Sequence, residues 1–147
     1  MSGKYLLDTN IVIALFNGDQ IIPSKLDAAE LVGISVTVIG ELLYGAKKSK
    51  HVKDNINKIS RFVSRCHVFS VDGDTAEEYS TIKAVLMKRG CPIPDNDVWI
   101  AAMVRFSNIR DVHSFPFLLE RYGSLHGGIE ILHSFMPTKF SGFPEPI

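Results

Sequence analysis

Cysteine is scarce, net charge is absent and no long apolar run occurs in this 147-residue sequence. The two cysteines, Cys66 and Cys91, are too few for a disulfide scaffold and stand in no metal-ligand spacing. They are expected to be small buried hydrophobes in a reducing compartment. Sixteen Lys and Arg balance sixteen Asp and Glu, and the pI is near 7.0. The whole molecule therefore exerts no field that would draw nucleic acid or membrane nonspecifically. A polyanionic partner must be gripped by a local patch or through metal ions. The N-terminal apolar run, Ile11 to Phe16, is far shorter than the roughly 20 residues a membrane span requires. Only Lys4 is basic ahead of it, so no export signal is visible, and a cytoplasmic protein with no membrane partner is expected. Internal repeats and low-complexity segments are absent as well.

With 46% hydrophobic and 22% charged residues, the chain is an ordinary folded protein of one domain, 1–147. An apolar run from Tyr5 to Leu7 stops at the lone carboxylate of Asp8, and Thr9 and Asn10 follow as helix caps before a second apolar run. That pattern predicts a buried strand, near 4–8, turning directly into a helix. Pro23-Ser24 opens a weaker helix over Lys25 to Leu31, closed at Gly33. The β-branched stretch near 34–36 predicts a second strand, Thr37 caps the next helix, and Glu41 lies one turn inside it. A third strand is expected near 67–71. Asp74-Thr75-Ala76-Glu77 reads as a capping box for a helix through Arg89, with Ala76, Tyr79, Ile82 and Leu86 toward the core. Pro92 and Pro94 stiffen a loop leading to Asp95-Asn96-Asp97 and a helix over Val98 to Phe106. Strands alternating with helices in this order predict a three-layer α/β/α fold on a parallel sheet with right-handed crossovers.

One segment is basic. Lys47, Lys48, Lys50, Lys53, Lys58, Arg61 and Arg65 stand against the single acid Asp54, while Val52, Ile56, Ile59 and Val63 keep helical spacing toward the core. The plain meaning is a solvated helix face; the functional one is a phosphate-docking surface, with Lys47, Lys48 and Lys50 as candidates for contact with a phosphate backbone.

Asp8, Glu41 and Asp97 each stand at a helix start beside an apolar stretch. Singly, Asp8 and Asp97 read as caps and Glu41 as a surface helix residue. Together, at one edge of a parallel sheet, they read as a shared site, because ligands bind outside the carboxyl ends of the strands. Three adjacent carboxylates repel, and helix N-termini offset only part of that cost. Mg²⁺ or Mn²⁺ resolves the conflict: it prefers hard oxygen ligands, keeps waters and is completed by substrate phosphates.

Three blocks in register carry a resemblance: Leu7-Asp8-Thr9-Asn10, Ser35 to Gly45 with Glu41 at its centre, and Asp97-Val98-Trp99-Ile100-Ala101-Ala102. Over roughly residues 4–106 the chain resembles a PIN-domain ribonuclease, and within that group the VapC-type toxins of bacterial toxin–antitoxin pairs. The resemblance implies a Mg²⁺- or Mn²⁺-dependent endoribonuclease, usually a homodimer, silenced by a cognate antitoxin whose C-terminal segment enters the acidic groove. It implies that Asp8, Glu41 and Asp97 are the metal-binding acids and that Thr9 and Asn10 support the first of them. Asp95 is near the site but not at a matching position.

The tail departs from that pattern, and 107–147 is set apart as an atypical C-terminal segment. Arg110-Asp111-Val112-His113-Ser114-Phe115 is similar to a block in which the family carries a fourth acid, here Asp111. Only Ser107-Asn108-Ile109 separate it from the preceding helix, too few for a turn and a full strand. Either the helix ends earlier, or the fourth strand after 107 is truncated, or the tail has diverged. Phe117 to Tyr122 reads as a short helix and Ile129 to Leu132 as a strand. Two rivals to the nuclease follow. One is a catalytically impaired PIN-like module that chiefly binds its antitoxin. The other is a phosphohydrolase of small molecules, against which Asn10 counts, because aspartate-nucleophile phosphatases place a second Asp there.

Overall fold

In a computed structural model, which describes residues 4–90, 92–106 and 131–132, the chain folds around a four-stranded parallel sheet of order β3-β2-β1-β4. The elements are β1 (Lys4–Leu7), α1 (Thr9–Phe16), α2 (Ile21–Asp27), β2 (Leu31–Ser35), α3 (Val36–Lys48), α4 (Val52–Val63), β3 (His67–Phe69), α5 (Gly73–Lys88), α6 (Asp95–Phe106) and β4 (Ile131–Leu132). Helices flank the sheet, as the strand–helix alternation predicts. β1 lies inside, paired to β2 from Lys4↔Leu31 to Leu7↔Ile34 and to β4 at Leu6↔Ile131 and Leu7↔Leu132. Leu6 and Leu7 are therefore fully enclosed. The strand order reverses at β1, so the crevice beyond its carboxyl end is a topological switch point, and Asp8 stands there.

Several boundaries differ from the sequence expectation, each for a local reason. The second helix begins at Ile21, not Lys25, because the Asp19 carboxylate accepts from the Ile21 and Ile22 amides at 2.8 and 2.9 Å. Pro23 falls in the first turn, where its missing N–H costs nothing. Leu31 to Gly33 are consequently released to β2, which runs over Leu31–Ser35 rather than 34–36. Ser35, not Thr37, caps α3 by accepting from the Val38 amide at 3.2 Å. Asp72, two residues before the expected box, caps α5: it accepts from both the Thr75 amide (2.8 Å) and its hydroxyl (2.6 Å). β3 stops at Phe69 rather than 71; it is an edge strand with β2 as its one partner, and His67 and Val68 are exposed. The fourth strand among the described residues is Ile131–Leu132, within the expected Ile129–Leu132 stretch. The expected helix over Phe117 to Tyr122 lies outside the described residues.

Leu6, Leu7, Ile11, Val12, Ile34, Val38, Leu42, Ala46, Ile59 and Ile100 form one buried cluster across sheet and helices. Ile82, Leu86, Val98, Ala101 and Ala102 form a second, between α5 and α6, and Ile93 packs against both. In α5, Ala76 is exposed, unlike the expected core face. In α4 the buried line is Asn55 and Ile59; Val52 faces outward. A polar residue tolerates that place because Asn55 Nδ2 donates to Ser49 Oγ at 2.9 Å, and Ser49 Oγ donates to the Ala46 carbonyl at 2.7 Å. The corner between α3 and α4 is thus tied by side chains. Cys66 is half-buried against the main cluster, and burial pushes its thiol up to about 11, so it stays protonated at neutral pH. Cys91 lies outside the described residues.

Gly33 is required by close approach: a Cβ there would run into the Phe69 ring, with Phe69 Cδ2 at 3.1 Å and Leu6 Cδ1 at 3.4 Å. Gly33→Ala is expected to destabilise the fold by about 1–3 kcal/mol. In urea melts, pairing it with Phe69→Leu should return part of that loss, and additivity of the two changes would contradict the contact. The Asp72 carboxyl is held below the usual carboxylate range, first by the Thr75 hydroxyl and then by the Thr75 amide. Its stabilising effect is therefore complete above the ordinary Asp value of about 3.9 and is lost as pH falls through the lowered folded value. Because Asn also caps well, Asp72→Asn should narrow the gap between urea midpoints at pH 7 and pH 3; an unchanged gap would contradict the assignment.

Candidate active site

Three helices begin at the carboxyl edge of the sheet near the switch point, and each brings one of the acids singled out by sequence. Asp8, 5% exposed, is extended (φ −87°, ψ 170°) and caps α1, with Oδ1 accepting from the Ile11 amide at 2.8 Å. Thr9 is buried beside it and Asn10 is exposed. Glu41 is half-buried on α3. Asp97 is half-buried in the first turn of α6, its amide donating to the Pro94 carbonyl at 3.0 Å.

Glu41 joins the three. The Thr9 hydroxyl donates to Glu41 Oε2, and the Asn96 side-chain amide donates to Glu41 Oε1. One donor comes from the residue after Asp8 and the other from the residue before Asp97. The structure thus gathers the turns that bear all three acids around a single carboxylate, using neutral donors that add no charge. Among the described residues, no group of three or more His, Cys, Asp or Glu side chains converges at metal-binding distance. What is assembled is a hydrogen-bonded junction of acid-bearing turns.

The donor set is nonetheless of one chemical kind. Asp8, Glu41 and Asp97 supply hard carboxylate oxygens, with no thiolate or imidazole among them, which suits Mg²⁺ or Mn²⁺ held by one or two carboxylates with waters and phosphates. Asp111 lies outside the described residues. Asp95 is committed elsewhere: Lys83 Nζ donates to its Oδ1 at 2.6 Å and the Tyr79 hydroxyl at 3.1 Å. The hydrogen bond from Lys83, then that from Tyr79, hold its carboxyl below the ordinary range, while the Lys83 ammonium is raised by its hydrogen bond to Asp95 and then by that to the Tyr79 oxygen.

The basic candidates lie farther along α3. Lys47 and Lys48 are exposed in its last turn, and Lys50 is exposed in the following corner. Seven residues separate Glu41 from Lys48, about 10 Å along a helix. Tyr44 between them is 62% exposed, and the Lys48 ammonium sits 5.0 Å from its ring centroid. Lys58, Arg61 and Arg65, of the same basic segment, instead line a groove of about 470 Å³ with Phe16 and Phe62, by the far end of α1.

This chain matches the PIN domain family over residues 5–115, a span that contains Asp8, Glu41 and Asp97 and continues past residue 106 through Asp111. It is 38% identical over 104 residues to "Ribonuclease VapC2" of Haemophilus influenzae, covering 69% of this chain and 79% of that relative. The chain is a PIN domain of the VapC family. A second VapC relative, "tRNA(fMet)-specific endonuclease VapC" of Shigella flexneri, is 34% identical over 125 residues, 83% of this chain and 94% of the relative. Among solved structures, the VapBC2 complex of Rickettsia felis, bound to a DNA fragment from its promoter, superposes with a TM-score of 0.70 at 27% identity. That match covers 80% of this chain and 91% of the other. The VapC fold expected from the three sequence blocks is therefore the fold observed, with its parallel sheet flanked by helices.

Sequence pattern singles out the acids but not the side chains that hold Glu41. Asn96 has no signal beyond standing between two aspartates, and Thr9 reads as a cap rather than as a donor to a residue 32 positions away. Tyr44 is an exposed aromatic beside Lys47 and Lys48, a placement that the helical spacing of α3 encodes.

Since Asn caps as well as Asp, Asp8→Asn should leave thermal stability nearly unchanged, whereas Asp8→Ala should cost about 1 kcal/mol or more by stranding the buried Ile11 amide. Equal melting temperatures for the two variants would contradict the cap.

Proposed function

We propose that the chain is the toxin of a toxin–antitoxin pair, an endoribonuclease that hydrolyses RNA phosphodiester bonds with Mg²⁺ or Mn²⁺. The observation that carries this is the Thr9–Glu41–Asn96 junction at the switch point of the sheet, which gathers Glu41 and the turns bearing Asp8 and Asp97 where a substrate can reach them. Asp8 and Asp97 hold the metal, and Glu41 completes the cluster or positions water. Asp111 is a fourth acid in this scheme. The bound metal supplies Lewis acidity for a phosphoryl oxygen and for water. The protein's own part is to keep Glu41 oriented through Thr9 and Asn96, with Asn10 supporting the first acid, and to keep Asp8 and Asp97 at helix N-termini that favour negative charge.

Lys47, Lys48 and Lys50 meet the RNA backbone, so binding weakens as salt rises. Substrate choice follows RNA shape, and structured RNA of the tRNA class is the substrate we infer, supported by the similarity to the tRNA(fMet)-specific endonuclease of Shigella flexneri. The partner we infer is a cognate antitoxin, supported by the VapBC assemblies among solved relatives, and the chain acts as a homodimer in the cytoplasm. Among the described residues no helix is long and apolar enough to cross a membrane.

The test uses the full chain freed of any partner and an initiator-tRNA transcript. Cleavage is expected with Mg²⁺ or Mn²⁺, with none in EDTA and a loss on the order of a hundredfold or more in Asp8→Asn. Cleavage that survives EDTA would overturn the metal mechanism. A wild-type chain that cuts no structured RNA would point to a module that chiefly binds its antitoxin.

A further inference from the structure

Two parts of the site hang on α6: Asp97 itself and, through Asn96, one of the two holds on Glu41. The rotation of α6 about its own axis therefore decides the geometry of the site. Val98, Ala101 and Ala102 pack toward Ile82 and Leu86 while Ile100 enters the main cluster, so apolar packing sets where α6 lies and leaves its fine rotation to directional contacts. A rotation of about 10° moves a side chain at the helix periphery, about 5–6 Å from the axis, by about 1 Å. That is enough to take a hydrogen bond out of its working range of about 2.7–3.2 Å.

Two residues of α5 resist it. Asp95 Oδ1 accepts from Lys83 Nζ (2.6 Å) and from the Tyr79 hydroxyl (3.1 Å), and Lys83 Nζ also donates to the Tyr79 oxygen at 2.8 Å. One turn along α6, the Trp99 ring system lies on the Tyr79 ring, 17° from parallel with centroids 4.0 Å apart. Tyr79 thus grips α6 at residues i and i+4, once through its hydroxyl and once through its face. Two points on one side of a helix, a turn apart, fix its rotation.

We propose that Lys83 and Tyr79 are positioning residues of the site: through Asp95 and Trp99 they set the rotation of α6 and so keep Asn96 on Glu41. This assignment rests on the nuclease function proposed above only for its effect on turnover; the geometric effect stands alone. Lys83 does this work from outside the acidic junction, with its ammonium already engaged by Asp95 and Tyr79 rather than offered to a phosphate.

The test follows the Asn96 side-chain amide by ¹⁵N NMR in the full chain, assigned with Asn96→Gln, beside cleavage of the initiator-tRNA transcript in Mg²⁺. Lys83→Met should move the Asn96 amide resonances away from their wild-type positions. Tyr79→Phe keeps the ring on Trp99 and should move them less, in the same direction, while Lys83→Arg should hold them in place. In turnover, Lys83→Met should lower kcat between about tenfold and a hundredfold. KM should stay within about twofold, and Lys83→Arg should recover most of the loss. An Asn96 amide that ignores both Lys83→Met and Tyr79→Phe overturns the proposal, and Tyr79→Phe alone decides it if Lys83→Met does not fold. A raised KM with kcat kept and a shallower salt dependence overturns it in favour of a phosphate contact by Lys83. If the wild type cuts no RNA yet the amide moves as expected, the positioning stands and the nuclease reading falls.

Discussion

A half-buried carboxylate that accepts from two neutral donors, Thr9 and Asn96, is the constraint on which this structure turns. Carboxylates brought near one another repel, and burial makes the repulsion worse. Hydroxyl and amide donors relieve the demand of Glu41 for hydrogen bonds without cancelling its charge, so the junction remains electronegative. Cationic partners would have neutralised it. Lys83 is bound to Asp95, outside the junction.

The sheet explains why the junction forms where it does. β1 is flanked on both sides, so its apolar run is enclosed and the chain must leave it at a polar residue. Asp8 is that residue, and its first duty is to cap α1. β2 ends one register step further on at Ser35, which caps α3 in the same way. Parallel strands put both exits on one edge, and α6 arrives there from the α5–α6 pair. A strand-to-helix turn supplies both a buried acceptor and an adjacent cleft, so a capping side chain there stands beside the crevice.

What was legible in the sequence follows from the range of the physics involved. The seam at Asp8 was legible because it is local: apolar run, acid, cap, apolar run. The alternation of elements gave the parallel sheet, and the three blocks around Asp8, Glu41 and Asp97 gave the family. The second helix was misplaced because Pro23 looked like a start signal, when the Asp19 cap four residues earlier had already fixed the start. Asn55 was not legible as buried, since its hydrogen bond to Ser49 exists only once α3 and α4 meet. The donors to Glu41 lie 32 and 55 residues away, and no local pattern encodes a bond of that reach.

Because α3 carries Glu41 at mid-length and Lys47 and Lys48 at its C-terminal end, it works as a ruler as well as a wall. Its constant rise turns a count of residues into a length, and its constant twist turns the same count into a direction. Adding or removing one residue between Glu41 and Lys48 would swing the basic end by about 100° relative to the acid. Substitutions along the exposed side of this helix leave that relation intact, while a change in its length does not. The segment is therefore free to vary in composition and bound in number.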